Sequence, residues 1–170
     1  DSPYEEDEFS IVNVGVLSPR KAQMDSIDAF GRISETFPNA VLYFLGNKQM
    51  WEAYFKALIA RVKVLNLEAK VRFLGHRADY LKYMVHADCI IQTSYGEGVS
   101  RVLREAMFLK VPIVSYAISG TVDLLDCDRD ALLVESGDIE AFSKAIKTLL
   151  SNSQLRENLT ESAHTKYKTK

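Results

Sequence analysis

Six short apolar runs recur along this chain, at residues 9–16, 41–46, 71–75, 89–93, 112–116 and 131–134. Longer stretches with apolar residues at helical spacing separate most of them, over 21–37, 49–67, 79–87, 100–109 and 139–150, with a helical turn at 121–125. In the first helical stretch Met24, Ile27, Ala29, Phe30, Ile33 and Phe37 fall near a 3.6-residue period. The short runs are nearly all apolar and do not alternate with polar residues, as strands do when helices cover both faces of a sheet. Strand–helix alternation of this kind predicts a doubly wound parallel α/β sheet of about six strands, Rossmann-like, with right-handed crossovers. The polar stretch after Asn152 is expected to be helical.

In such sheets ligands sit beyond the C-terminal strand ends, where the strand order reverses. The chemistry is therefore expected in the loops VLSPRK, GNKQ, GHRAD, SYGEGVS, AISGT and ESGD. The charge balance narrows the partners. A net charge of −2 gives no basic excess to hold a nucleic-acid backbone. Cys89 and Cys127 are far apart and read as reduced thiols. No apolar run reaches membrane-spanning length, and neither HExxH nor Cys/His spacing suggests a metal. Residues 1–8 read as an acidic leader or linker and 9–170 as the ligand-binding domain.

SYGEGVSRVLREAM, residues 94–107, holds two carboxylates eight positions apart, Glu97 and Glu105. Helical geometry would separate their backbones by roughly 12 Å, whereas the paired carboxylates of glycosidases lie about 5 to 9.5 Å apart. They are better spaced to hold two ends of one long ligand. Between them lies a helix start, whose free amides on Val99, Ser100 and Arg101 favour an anion. Gly96 and Gly98 let the backbone approach closely. Hydroxyl acceptor, anion binder, hydroxyl acceptor is the order of a nucleoside diphosphate sugar: sugar, pyrophosphate, ribose. Two solvated glutamates remain the plain alternative at this spacing. There is no GxxxxGK[ST], and Arg101 stands where the dinucleotide fingerprint needs a small residue.

The stretch Glu97-Gly98-Val99-Ser100-Arg101-Val102-Leu103-Arg104-Glu105-Ala106-Met107 resembles the E-x7-E signature of the retaining glycosyltransferases of family 4, the group 1 transferases of the GT-B fold. NVGVLSPRKA, VRFLGH, LKVPIVSYAISGTVDLL and ALLVESGDIEAFSKAI resemble further segments of that family in the same order, over about residues 9–150. The resemblance implies the C-terminal, donor-binding half of such an enzyme. It implies a donor linked to UDP or GDP, a glycan or lipid acceptor, and a cytoplasmic protein whose membrane contact runs through the N-terminal acceptor domain. That domain is absent here, so the chain alone is expected not to transfer. Glu97 would bond the donor sugar and Lys21 would neutralise the leaving diphosphate, the two residues implied as catalytic. Gly15, Arg20, Gly46, His76, Gly96, Gly98, Val99, Ser100, Arg101 and Glu105 would complete the donor site, with Glu105 on the ribose. Such enzymes typically use no metal; a fixed ammonium and a helix N-terminus take its place.

The departures from the family pattern are specific. Val16 stands where an arginine usually follows the first-strand glycine, so a second diphosphate cation is missing unless Arg20 reaches over. Ala22 replaces a glycine, Ser119-Gly120 a glycine pair, and Asp123 a glutamate. His86 reads as structural and His164 as a surface residue. Two other readings stay open: a non-catalytic nucleotide- or phosphosugar-binding module, and another GT-B enzyme such as a nucleotide-sugar epimerase or a sugar phosphorylase.

Overall fold

The computed structural model describes residues 1–169. Six strands form one parallel sheet: β1 (Phe9–Val14), β2 (Ala40–Leu45), β3 (Val71–Gly75), β4 (Cys89–Gln92), β5 (Ile113–Tyr116) and β6 (Leu132–Val134). Their order is β3-β2-β1-β4-β5-β6. The chain therefore winds outward from β1 in one direction, returns, and winds outward from β4 in the other. The helices are α1 (Gln23–Ile33), α2 (Glu52–Val64), α3 (Tyr80–Val85), α4 (Arg101–Leu109), α5 (Ser119–Val122), α6 (Ile139–Ser151) and α7 (Ser153–Thr169).

The largely apolar central strands follow from burial on both faces. Successive residues of a strand point to opposite sides. Ile11, Leu42, Phe44, Ile91 and Val114 belong to one core, with Phe30, Tyr116, Phe142 and Ile146. Their neighbours Val12, Tyr43, Leu45, Ile90 and Ile113 belong to the other, with Leu103 and Met107 of α4. Each such side chain, fully buried, contributes about 1.5–3 kcal/mol of transfer free energy, so truncating Phe30 to alanine would cost about 3–5 kcal/mol.

Strand boundaries fall within two residues of the sequence expectation; the first two helices are shorter than expected. The one expected over 21–37 spans Gln23–Ile33, and the one expected over 49–67 spans Glu52–Val64. The turn expected at 121–125 is α5. The polar segment after Asn152 is α7, which packs against α4 through Ala163 and Tyr167 in the second core. His164 is not a free surface residue: its Nδ1 lies 3.2 Å from the Met107 carbonyl and its ring lies against Phe108. His86 is exposed and caps α3. Before β1, Tyr4 donates a hydrogen bond to the Tyr83 carbonyl (2.6 Å) and packs on Tyr43.

Candidate functional site

β1 and β4 are neighbours, yet the chain leaves them toward opposite sides of the sheet. Their C-terminal ends thus open the crevice of the switch point. After β1 comes a 3₁₀ turn, Pro19–Lys21, which ends at Ala22 in the left-handed conformation (φ 47°, ψ 44°). This is why no helix runs through Lys21. A residue with a Cβ pays about 1–2 kcal/mol there, and Ala22 is held in place by burial and by the Thr93 hydroxyl, which donates to its carbonyl (2.9 Å). The break frees Lys21 from the axis of α1. Its ammonium lies beside Gly15, where an added Cβ would stand 3.8 Å from Nζ.

Lys21 Nζ donates to Glu97 Oε1, across 76 positions of sequence. The Ser94 hydroxyl donates to the same oxygen (2.9 Å). Arg20 Nη1 lies 3.9 Å from Glu97 Oε2 and donates to the Gly96 carbonyl (2.8 Å). Arg20 is thus turned to the glutamate loop. The backbone joins the two loops as well, with Tyr95 N–H on the Arg20 carbonyl (2.9 Å). Tyr95 is anchored from beneath: its hydroxyl and that of Tyr116 both donate to Asp25 Oδ2, each at 2.7 Å. That bond to a carboxylate, then burial, push the Tyr95 phenol up to about 12.

The start of α4 is fixed by a short relay. Ser100 Oγ accepts from Leu103 N–H (3.3 Å) and donates to the buried Gln92 Oε1 (2.8 Å). The Ser100 hydroxyl is therefore spent on the fold. What this helix start offers a ligand is backbone amides of its first turn, which have no intrahelical acceptor. The loop before it approaches α5 so closely that a Cβ on Gly120 would stand 1.7 Å from the Gly98 carbonyl. Glu97, Gly98 and Val99 line a cavity of about 240 Å³ with Ser119, Gly120 and Asp123.

Glu105 lies on α4, past Arg101. The Tyr80 hydroxyl donates to its Oε1 (2.7 Å), and Arg101 Nε lies 3.8 Å from the same atom. Its Oε2 is buried with no hydrogen-bond partner among the described residues. The bond to Glu105, then burial, raise the pKa of Tyr80, which keeps it a donor. Gly15, Val16, Gly46, Asn47, His76, Tyr80 and Arg101 line a second cavity, of about 280 Å³. Gly46 is pressed against the first loop: a Cβ on it would stand 1.8 Å from the Gly15 carbonyl. Arg101 is 86% exposed on this cavity's edge.

The structure thus places every residue implied for the donor site on loops beyond the C-terminal strand ends or on the adjoining α4. Lys21, Arg20, Gly96 and Glu97 meet directly, Gly15, Gly46, His76 and Arg101 share one cavity, and Gly98 and Val99 share the other. Sequence reasoning missed Ser94, Gln92, Tyr80 and Asp25. Tyr80 had a signal, since it follows the GHRAD loop at the start of α3. Among the described residues, no cluster of three or more His, Cys, Asp or Glu is placed to hold a metal ion, and no helix is long and apolar enough to cross a membrane.

The family described as "Glycosyl transferases group 1" matches residues 1–166. The chain belongs to the group 1 glycosyltransferase family. Among curated relatives, it is 31% identical over 159 residues to the N-acetylgalactosamine-N,N'-diacetylbacillosaminyl-diphospho-undecaprenol 4-alpha-N-acetylgalactosaminyltransferase of Campylobacter jejuni, covering 93% of this chain and 42% of that protein. Among solved structures, Anabaena Alr3699/HepE in complex with UDP superposes with a TM-score of 0.90 at 27% identity, over 96% of this chain and 44% of that one. The same protein has been solved with UDP-glucose. The C-terminal domain of a group 1 glycosyl transferase from Francisella tularensis shares the fold, with a TM-score of 0.85 at 21% identity, over 95% of this chain and 85% of that one. The chain spans less than half the length of the curated relatives it matches.

Proposed function

We propose that this chain is the donor-binding half of a retaining glycosyltransferase that moves a hexose-type sugar from a nucleoside diphosphate sugar to a glycan, lipid or other acceptor. The observation that carries this reading is the meeting of Lys21 and Glu97 at the switch-point crevice, with the start of α4 beside them. Lys21 and the first-turn amides of α4 offer positive charge to a pyrophosphate. Glu97 offers a carboxylate to sugar hydroxyls, and Glu105, one turn past Arg101 on α4, offers a second carboxylate to the ribose. The apolar floor given by Val14, Val16 and Leu45 beside Gly46 and His76 suits a flat base. The UDP and UDP-glucose complexes of the Anabaena relative support a uridine donor; GDP is the other candidate.

In this reading no metal is needed, because the leaving diphosphate is neutralised by Lys21 and by a helix start, both fixed before the reaction. The acceptor and the rest of the groove come from a separate N-terminal domain. Titration of the chain with UDP-, GDP- and ADP-sugars, with and without EDTA, tests the proposal. Saturable binding of one nucleotide class, unchanged by EDTA, is the expected result; binding that needs manganese would defeat the metal-free account. Val16, in place of a cation beside Gly15, favours a second reading, a non-catalytic sugar-nucleotide module. Turnover by a protein carrying both domains separates the two.

A further inference from the structure

Lys21 is the cation after β1 and Glu97 the carboxylate after β4, and each is spent on the other. The two carboxylate oxygens of Glu97 are not equivalent. Oε1 takes both the Lys21 ammonium and the Ser94 hydroxyl. Among the described residues, Oε2 has only a long 3.9 Å approach from Arg20, whose guanidinium donates to the Gly96 carbonyl. The Glu97 side chain is 12% exposed, and its residue lines the cavity shared with Val99, Ser119 and Asp123. Lys21 is 22% exposed. At such partial burial a neighbouring charge is screened less than at an open surface.

We propose that Glu97 is a specificity-determining residue that disfavours the bare nucleoside diphosphate and so biases the crevice toward the intact nucleotide sugar. This rests on the donor-half reading above. A diphosphate arriving at Gly15 and the start of α4 meets an ammonium whose charge Glu97 has already neutralised. It also brings two or more negative charges close to a carboxylate. An intact donor carries less charge at its outer phosphate and adds sugar hydroxyls. Those hydroxyls can donate to Oε2, the oxygen left without a close partner, and so offset the cost. When the sugar departs, that compensation departs with it. The loop that orients the sugar thereby also weakens the hold on the leaving nucleotide.

The sign of the effect makes the test resistant to misfolding, because the key variant should gain affinity. Binding of uridine, UDP and UDP-glucose to the chain is measured by calorimetry for the wild type, Glu97→Gln and Lys21→Met. Glu97→Gln should tighten UDP about five-fold, the scale of a partly exposed ion pair of about 1 kcal/mol. It should leave uridine unchanged and shrink the preference for UDP-glucose over UDP. Lys21→Met should weaken UDP about ten-fold, also without effect on uridine. UDP binding that is unchanged or weaker in Glu97→Gln overturns the proposal. So does an equal gain for uridine, or a Lys21→Met variant that binds UDP normally. If neither the wild type nor any variant binds UDP or UDP-glucose, the donor-half reading itself fails and takes this inference with it; in the other failures binding persists.

Discussion

Two lysine–carboxylate pairs of similar lysine exposure sit in different parts of this molecule. Lys21 is 22% exposed and Lys166, on α7, is 20% exposed. Lys166 Nζ donates to Asp130 Oδ2 at 2.8 Å and lies 3.0 Å from Asp126 Oδ2. Asp130 is 1% exposed and saturated, since the Ser162 hydroxyl (2.7 Å) and the Asp126 amide (2.9 Å) also donate to it. Burial alone would raise its carboxyl pKa; Lys166, the Asp126 amide and Ser162 outweigh burial and hold it below the usual range. Glu97 is instead half-served: one oxygen takes two donors, the other has the 3.9 Å approach of Arg20, and the residue lines a cavity. The first pair ties α7 to the loop before β6 and borders a cavity of about 390 Å³. The second borders one of about 240 Å³, so what separates the two is the oxygen left over, not the opening. An ion pair with every acceptor filled reads as architecture, and one with an acceptor left over reads as a place for something to bind.

The largest effect expected from this contrast is on folding. Lys166→Met should destabilise the chain by about 3–5 kcal/mol, because it leaves a buried carboxylate without its cation. Urea unfolding measures it, and a loss under about 1 kcal/mol would put the two pairs in one class. Next is Glu105→Gln, which should weaken UDP and UDP-glucose alike by about 1.5–3 kcal/mol, the range for a hydrogen bond to a charged group. Calorimetry with both ligands checks it; a loss confined to UDP-glucose would move Glu105 from the ribose to the sugar. Smaller again is an alkaline effect at Tyr95. A phenol whose folded pKa is raised from near 10 to about 12 contributes stability that is complete below pH 10 and is lost as pH climbs through 12. Unfolding midpoints between pH 9 and 12 should fall more steeply in the wild type than in Tyr95→Phe. Smallest is the cost to stability of Lys21→Met, expected below about 1 kcal/mol for a partly exposed pair.

Much of this was legible in the sequence. The strands stood out because most are nearly all apolar, and the central ones, as in CIIQ and IVSY, are buried along their whole length. The family motif marked Glu97 and Glu105 directly. Hidden features were contacts between distant positions. Nothing local to Lys21 points to Glu97, 76 residues on, although a strand order with β1 beside β4 brings the residues after both strands together. The tie from Asp25 to Tyr116 spans 91 residues. The left-handed Ala22 was hidden for another reason: alanine favours helix, and only packing around it imposes the break. α7 was expected as a helix, but its docking was hidden by its polarity, since few apolar residues, among them Leu159, Ala163 and Tyr167, carry it.

The two glycine contacts have a consequence for how such a site can diversify. At Gly46 against Gly15, and at Gly120 against Gly98, main chain touches main chain with no room for a methyl group. The loops they join are welded into a common frame, and any side chain at Gly46 or Gly120 would have to prise that frame apart. New ligand preferences would therefore arise by re-dressing the frame at Val16, Asn47, His76, Val99, Arg101 or Ser119, whose side chains can change while the weld holds. A library that randomises these six positions and spares Gly46 and Gly120 should return folded variants with altered donor preference; one that randomises the two glycines should return mostly unfolded chains.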